Sequence, residues 1–107
     1  MEFEIVPPKL PGLRRWRALA RAYPADSTLR RLQYEHLSAT PLHGRVLDYG
    51  GGAKARTRHL MPPGVDLQSV NIDPRIEPTW LIAPGDPIPC EDGQFDAVVS
   101  LNTLEHI

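Results

Sequence analysis

The chain has a single cysteine, Cys90, among its 107 residues. An internal disulfide and any multi-cysteine metal site are thereby excluded. No charge of one sign dominates: the formal net charge is −1, which gives no electrostatic argument for a nucleic acid or an anionic membrane as partner. No apolar run approaches the roughly 20 residues needed to span a bilayer. The opening segment "MEFEIVPPKLPG" is acidic and broken by proline, so it does not read as a secretory leader. A cytoplasmic protein is the expectation.

Apolar residues make up 41% of the chain and charged residues 23%, a globular rather than a disordered balance. The length allows one domain at most. Prolines are plentiful, 12 in all. They cluster at 7–11, 62–63 and 74–89, between the apolar runs, and so read as punctuation between elements. Residues 1–12 read as an extended arm. In "LRRWRALARAY" (13–23), Leu13, Trp16, Leu19, Ala20 and Tyr23 fall at helical spacing. A second helix is expected over 25–40, with Asp26 or Ser27 as N-cap and Leu29, Leu32, His36 and Leu37 on one side. Strands are expected at Arg45 to Tyr49, Leu67 to Ile72, Thr79 to Ala83 and Phe95 to Leu101, with a helix from Ala53 to Met61 and another beginning at Asn102. Strands separated by crossovers indicate an α/β fold with a mostly parallel sheet. Residues 74–78 are too few and too proline-rich for a helix between the second and third strands.

The stretch "VLDYGGGAKA" (46–55) is a strand, a glycine turn and a helix start. Gly50, Gly52 and Ala55 fit the spacing of a dinucleotide-binding turn, a pattern also compatible with a ligand-free turn. Asp48 decides between the ligands. A pyrophosphate on a helix N-terminus would be repelled by a carboxylate at the mouth of the turn. S-adenosylmethionine carries an ammonium and a sulfonium and no phosphate, and suits it. Asp73, 23 residues after Gly50, is placed to accept both ribose hydroxyls of a nucleoside; its other reading is a strand-terminating Asp-Pro turn. Asp86, after the third strand, is placed to accept from an exocyclic adenine amine.

Taken in order, "VLDYGGG", "VNIDP", "GDPIPCEDGQFDAVVS" and "LEHI" resemble the signature segments of class I S-adenosylmethionine-dependent methyltransferases of the methyltransferase type 11 group. The resemblance covers the first half of that domain, from Arg45 to Ile107, and residues 1–44 form an arm and two helices ahead of it. It implies a Rossmann-like sheet of order 3-2-1-4, cut off after the fourth of seven strands. It places Asp48 near the methionyl amino group, and Gly50 and Gly52 against the methionine moiety. Asp73 falls on the ribose, Asp86 with Pro87 beside the adenine, and Leu101 and Asn102 under the transferable methyl. His106, beside Glu105, is the candidate base for a hydroxyl acceptor. The family often has a glycine at the position of Lys54 and a cysteine at that of Gly51. The implied activity is methyl transfer to a small-molecule, glycan or lipid-linked acceptor. The alternatives are a non-catalytic nucleoside- or partner-binding module, and a nicotinamide-dependent oxidoreductase that Asp48 disfavours.

Two further expectations concern surfaces. The arginines at 14, 15, 17, 21, 30 and 31 read as a solvated helix face. The fourth strand is apolar on both faces, as in a sheet covered by helices. Ending the chain just beyond it leaves an open edge, so self-association through that edge and little activity of the isolated chain are expected.

Overall fold

The computed structural model describes residues 2–101 and residue 103; the expectations for Asn102, for His106 and for a helix after strand four lie outside the described residues. The chain forms two compact units, Met1–Glu35 and His36–Ile107.

In the first unit, helix α1 (Leu13–Ala22) ends where the Tyr23 N–H donates to the Leu19 carbonyl at 2.9 Å, one residue before Pro24. Its periodic stripe buries Leu19. Helix α2 (Thr28–Ala39) starts at Ser27, whose Oγ accepts from the Arg30 N–H at 3.3 Å, so Ser27 takes a capping role. The buried side chains of α2 are Tyr34 and Leu37, whereas Leu29 is 61% exposed and His36 is exposed. The expected stripe through Leu29 and His36 is therefore rotated. Tyr34 sets that rotation by meeting Tyr23 edge-on, with ring centroids 5.3 Å apart. Arg15 forks onto Glu35 with bonds of 2.8, 3.1 and 3.3 Å, and this hydrogen bonding holds the Glu35 carboxyl below its ordinary range. Arg31 Nε donates to the Tyr23 carbonyl at 2.9 Å. Two of the six arginines are thus structural rather than merely solvated.

The second unit is built on four parallel strands, β1 (Arg45–Tyr49), β2 (Asp66–Asn71), β3 (Trp80–Leu81) and β4 (Ala97–Val99), in the order β3-β2-β1-β4. This is an α/β architecture with the expected strand order. On one face Val46 and Val99 are buried with Leu37, and Leu60, Leu67 and Leu101 pack around them. On the other, Leu47 and Val70 are fully buried. Such two-sided burial explains why β1 reads as a continuous apolar run up to Asp48. Strand β1 is bracketed by Gly44 and Gly50, both with positive φ (+69° and +98°), conformations that glycine adopts without the Cβ penalty. Its start is tied to β4 by the Asp96 carboxylate, which accepts from the Arg45 N–H at 2.9 Å.

Two expectations are corrected. The helix expected from Ala53 to Met61 is reduced to a 3-10 turn, Arg56–Leu60. Ala53 and Lys54 are held by long-range bonds to the carbonyls of Glu77 and Ile76 (2.9 and 3.1 Å), and Ala55 is extended. Coiling therefore begins only at Arg56. Pro62 then biases Met61 to extended geometry and ends it. Strands β3 and β4 are also shorter than expected, and β4 is not covered on both faces: Val98 is 64% exposed. Among the described residues, β4 pairs only with β1.

Candidate functional site

Strand order reverses between β1 and β4, because the chain leaves β1 toward β2 and β3 and returns on the other side as β4. In open parallel sheets the crevice beyond the carboxyl ends of the strands at such a point is where ligands bind. The residues there are Tyr49 to Gly52 after β1, Asp73 after β2 and Ser100 to Leu101 after β4.

Asp48 lies at the end of β1, on the same face as Val46 by strand alternation, opposite Ser69 and Val99 in register. It is only 3% exposed, and its Oδ2 has no hydrogen-bond donor among the described residues. Burial pushes its carboxyl up from 3.8 to about 6, and a hydrogen bond with Thr57 opposes that rise. Gly51 packs on this carboxylate so closely that an added Cβ would collide with it. The cysteine common at this position in the resembled family has no room here. Glycine at 51 is therefore what lets the carboxylate fold under the turn.

The turn itself is clasped by the segment that follows β2. Asn71 Nδ2 donates to the carbonyls of Gly50 (2.8 Å) and Gly51 (3.3 Å), while its Oδ1 accepts from the Asp73 N–H at 3.0 Å. Gly52 sits against the Ile76 backbone, and Gly50 against the side chain of Thr103. Lys54 Nζ lies 3.1 Å from Glu77 Oε1, with the lysine side chain 63% exposed to solvent. Glu77 takes a left-handed conformation, φ 56°, to turn back toward β3.

Asp73 caps the 3-10 turn Pro74–Ile76, accepting from the Arg75 N–H at 2.9 Å. Arg75 then folds its guanidinium onto the same carboxylate, with Nε at 3.0 and 3.2 Å and Nη2 at 2.9 Å. That hydrogen bonding holds the Asp73 carboxyl below its ordinary range. Asp86 is exposed and closes its own turn by accepting from the Ala83 N–H at 3.1 Å. Leu101 packs beside the Val46–Val99 cluster.

Asn71 thus joins the Gly50–Gly51 turn to Asp73, while the Asp48 carbonyl meets that turn through the Gly51 N–H (3.4 Å) and Gly52 packs on Ile76. Asp86 has no hydrogen bond to that network among the described residues. Asn71, Arg75 and Ile76 went unnoticed in the sequence. The signal for Asn71 was its place as the last residue of β2, facing the glycine turn; a loop arginine two residues after an aspartate offers no comparable signal. Removing the Asn71 amide, as in Asn71→Ala, should lower stability by about 2 kcal/mol, since three hydrogen bonds of about 0.5–1.5 kcal/mol each share partly exposed ground. Urea denaturation checks this; an unchanged midpoint would show that the turn holds without its latch.

S-adenosylmethionine is matched in kind by these residues. A buried carboxylate oxygen without a donor suits an ammonium, and an acid at the end of β2 suits a diol. Space is the stricter test. The cavity lined by Gly52, Arg58, Ser69, Glu77 and Thr79 holds about 120 Å³, below the roughly 300–1,000 Å³ of small-molecule pockets. Asp48, Gly50 and Asp73 do not line this cavity. Among the described residues no group of three or more His, Cys, Asp or Glu side chains is placed to hold a metal ion, and no helix is long and apolar enough to cross a membrane. The chain matches no protein-family model, no curated protein and no solved structure.

Proposed function

We propose that this chain is the cofactor-binding part of an S-adenosylmethionine-dependent methyltransferase with a Rossmann-like sheet. The observation that carries the reading is the Asp48 carboxylate, buried and without a donor on Oδ2 among the described residues, at the carboxyl end of an inner strand. An ammonium at that place gives the carboxylate the partner it lacks; a pyrophosphate would add a second negative charge beside it.

In this reading Asp48 accepts from the methionyl ammonium, and Gly50 and Gly52 allow the backbone to approach. Asp73 accepts from the ribose hydroxyls, Asp86 borders the adenine amine, and Leu101 and Asn102 line the floor beneath the methyl group. His106 takes the proton when the acceptor is a hydroxyl. The cofactor, when bound, supplies an electrophilic methyl on a positively charged sulfur. The remainder of catalysis is the holding of an acceptor in line with that methyl, worth roughly 7–11 kcal/mol in favourable cases. The acceptor is a small molecule or a glycan- or lipid-linked group, and the setting cytoplasmic.

A second reading is a nucleoside-binding module without catalysis. It uses the same acids and glycine turn and needs no acceptor. Labelled methyl transfer to any acceptor separates the two.

The cofactor assignment is tested by calorimetry with S-adenosylhomocysteine and NAD on the folded chain. The expected result is at least tenfold tighter binding of S-adenosylhomocysteine. Tighter binding of NAD overturns the reading.

A further inference from the structure

We infer that Arg75 is an internal competitor for the nucleoside: it occupies the carboxylate that would take the ribose hydroxyls, and ligand binding requires it to leave. The inference rests on the cofactor reading given above.

Asp73 offers two carboxylate oxygens, and Arg75 uses both. Its backbone N–H and Nε reach Oδ1, and Nε and Nη2 reach Oδ2, all within 2.9–3.2 Å. A diol needs those same two oxygens in a side-by-side arrangement. Guanidinium and diol both present paired donors to a carboxylate, so they are alternatives at one place. The pair is local, two residues apart, and the guanidinium is 87% exposed. It therefore exchanges readily with water and acts as a graded competitor, not a lock.

The turn that carries Arg75 also leads into the segment bonded to the residues after Gly52. Ile76 and Glu77, the next residues, supply the carbonyls that hold Lys54 and Ala53. When the guanidinium leaves Asp73, the Arg75 N–H can still cap the 3-10 turn through Oδ1. Arg75 thus sets the affinity for nucleoside ligands without touching them. It acts as a positioning residue through Asp73.

The test is titration calorimetry with S-adenosylhomocysteine on the wild type, Arg75→Gln, Arg75→Lys, Asp73→Asn and the Asp73→Asn/Arg75→Gln double variant, at low and high salt. Arg75→Gln should bind about threefold to fivefold tighter, the range set by an exposed ion pair. Arg75→Lys should fall between, having charge but no fork. The gain should vanish in the Asp73→Asn background. At about 0.5 M salt the ratio between wild type and Arg75→Gln should move toward one, because screening loosens the competing pair. Wild-type binding with an equal or weaker affinity for Arg75→Gln overturns the competition and leaves the cofactor reading standing. A gain that persists without the Asp73 charge also overturns it. Absence of binding by the wild type and by Arg75→Gln alike overturns the cofactor reading, and the competition falls with it.

Discussion

Asp48→Asn should yield a more stable protein that no longer discriminates in favour of S-adenosylmethionine. The carboxyl ionises at about 6 in the folded chain against an ordinary 3.8, because burial disfavours the charge. An unfolded chain releases this proton at lower pH than the folded one. Folding stability therefore declines as pH rises from about 4 to about 6, and the deficit persists above that window. A gap of this size corresponds to about 3 kcal/mol at neutral pH. The amide recovers part of it, about 2 kcal/mol, since it carries no charge but leaves a buried donor to satisfy. The gain should be present at pH 7.5 and nearly absent at pH 4, as urea denaturation at the two values would show. Equal stability at pH 7.5 would mean that the carboxylate is better solvated than its 3% exposure implies. Under the proposed cofactor reading the ammonium binds the ionised acid, so affinity should fall as pH drops below about 6. Calorimetry across that range reads this directly, and a flat profile would remove Asp48 from the ligand.

Gly52→Ala should be the most damaging small substitution in the glycine turn. A Cβ there would collide with the carbonyl oxygen and the Cγ2 of Ile76, and a backbone carbonyl cannot rotate away as a flexible side chain does. The bonds from Ala53 to Glu77 and from Lys54 to Ile76 would be broken together. A loss of about 2–4 kcal/mol is expected, the scale of an overpacked buried site with lost hydrogen bonds. Gly12→Ala is the control. Gly12 has extended backbone, φ −179°, and open space where its Cβ would go, so its change should stay within about 1 kcal/mol. Thermal unfolding of both, with amide exchange at Ala53 and Lys54, measures the contrast. Unchanged melting and slow exchange in Gly52→Ala would show that the segment after β2 yields without cost.

The parts of the fold that were legible in the sequence are those fixed by neighbours along the chain. Strand β1 was readable to the residue because glycines with positive φ stand at both of its ends and apolar residues fill it. The short connection after β2 was readable as too short for an α-helix between Pro74 and Pro78, and it holds only a 3-10 turn over Pro74–Ile76. What escaped was set by residues far apart. The Ala53–Met61 segment has helical composition, yet Ala53 and Lys54 spend their N–H groups on residues 76 and 77, a competition that local periodicity cannot display. In α2, the pairing of Tyr34 with Tyr23 turned the buried stripe away from His36. At the site, the carboxylates were readable as acids at strand ends, but their states were not. Asp48 owes its raised ionisation to burial, and Asp73 owes its lowered one to an arginine two residues on.

The order in which the second unit assembles follows from how β1 is stitched to its neighbours. Its pairing with β2 joins Arg45 to Asp66, 21 residues on, whereas the Arg45 N–H waits for Asp96, 51 residues on. The longer closure costs about 0.8 kcal/mol more chain entropy, and it forms only when every intervening turn is compact. The β1–β2 pair is therefore the early partner in refolding and the β1–β4 seam the late one. On a ribosome the same seam cannot form until residue 96 has emerged. Until then the growing chain shows the bare side of β1, with Val46 and Leu47, to its surroundings.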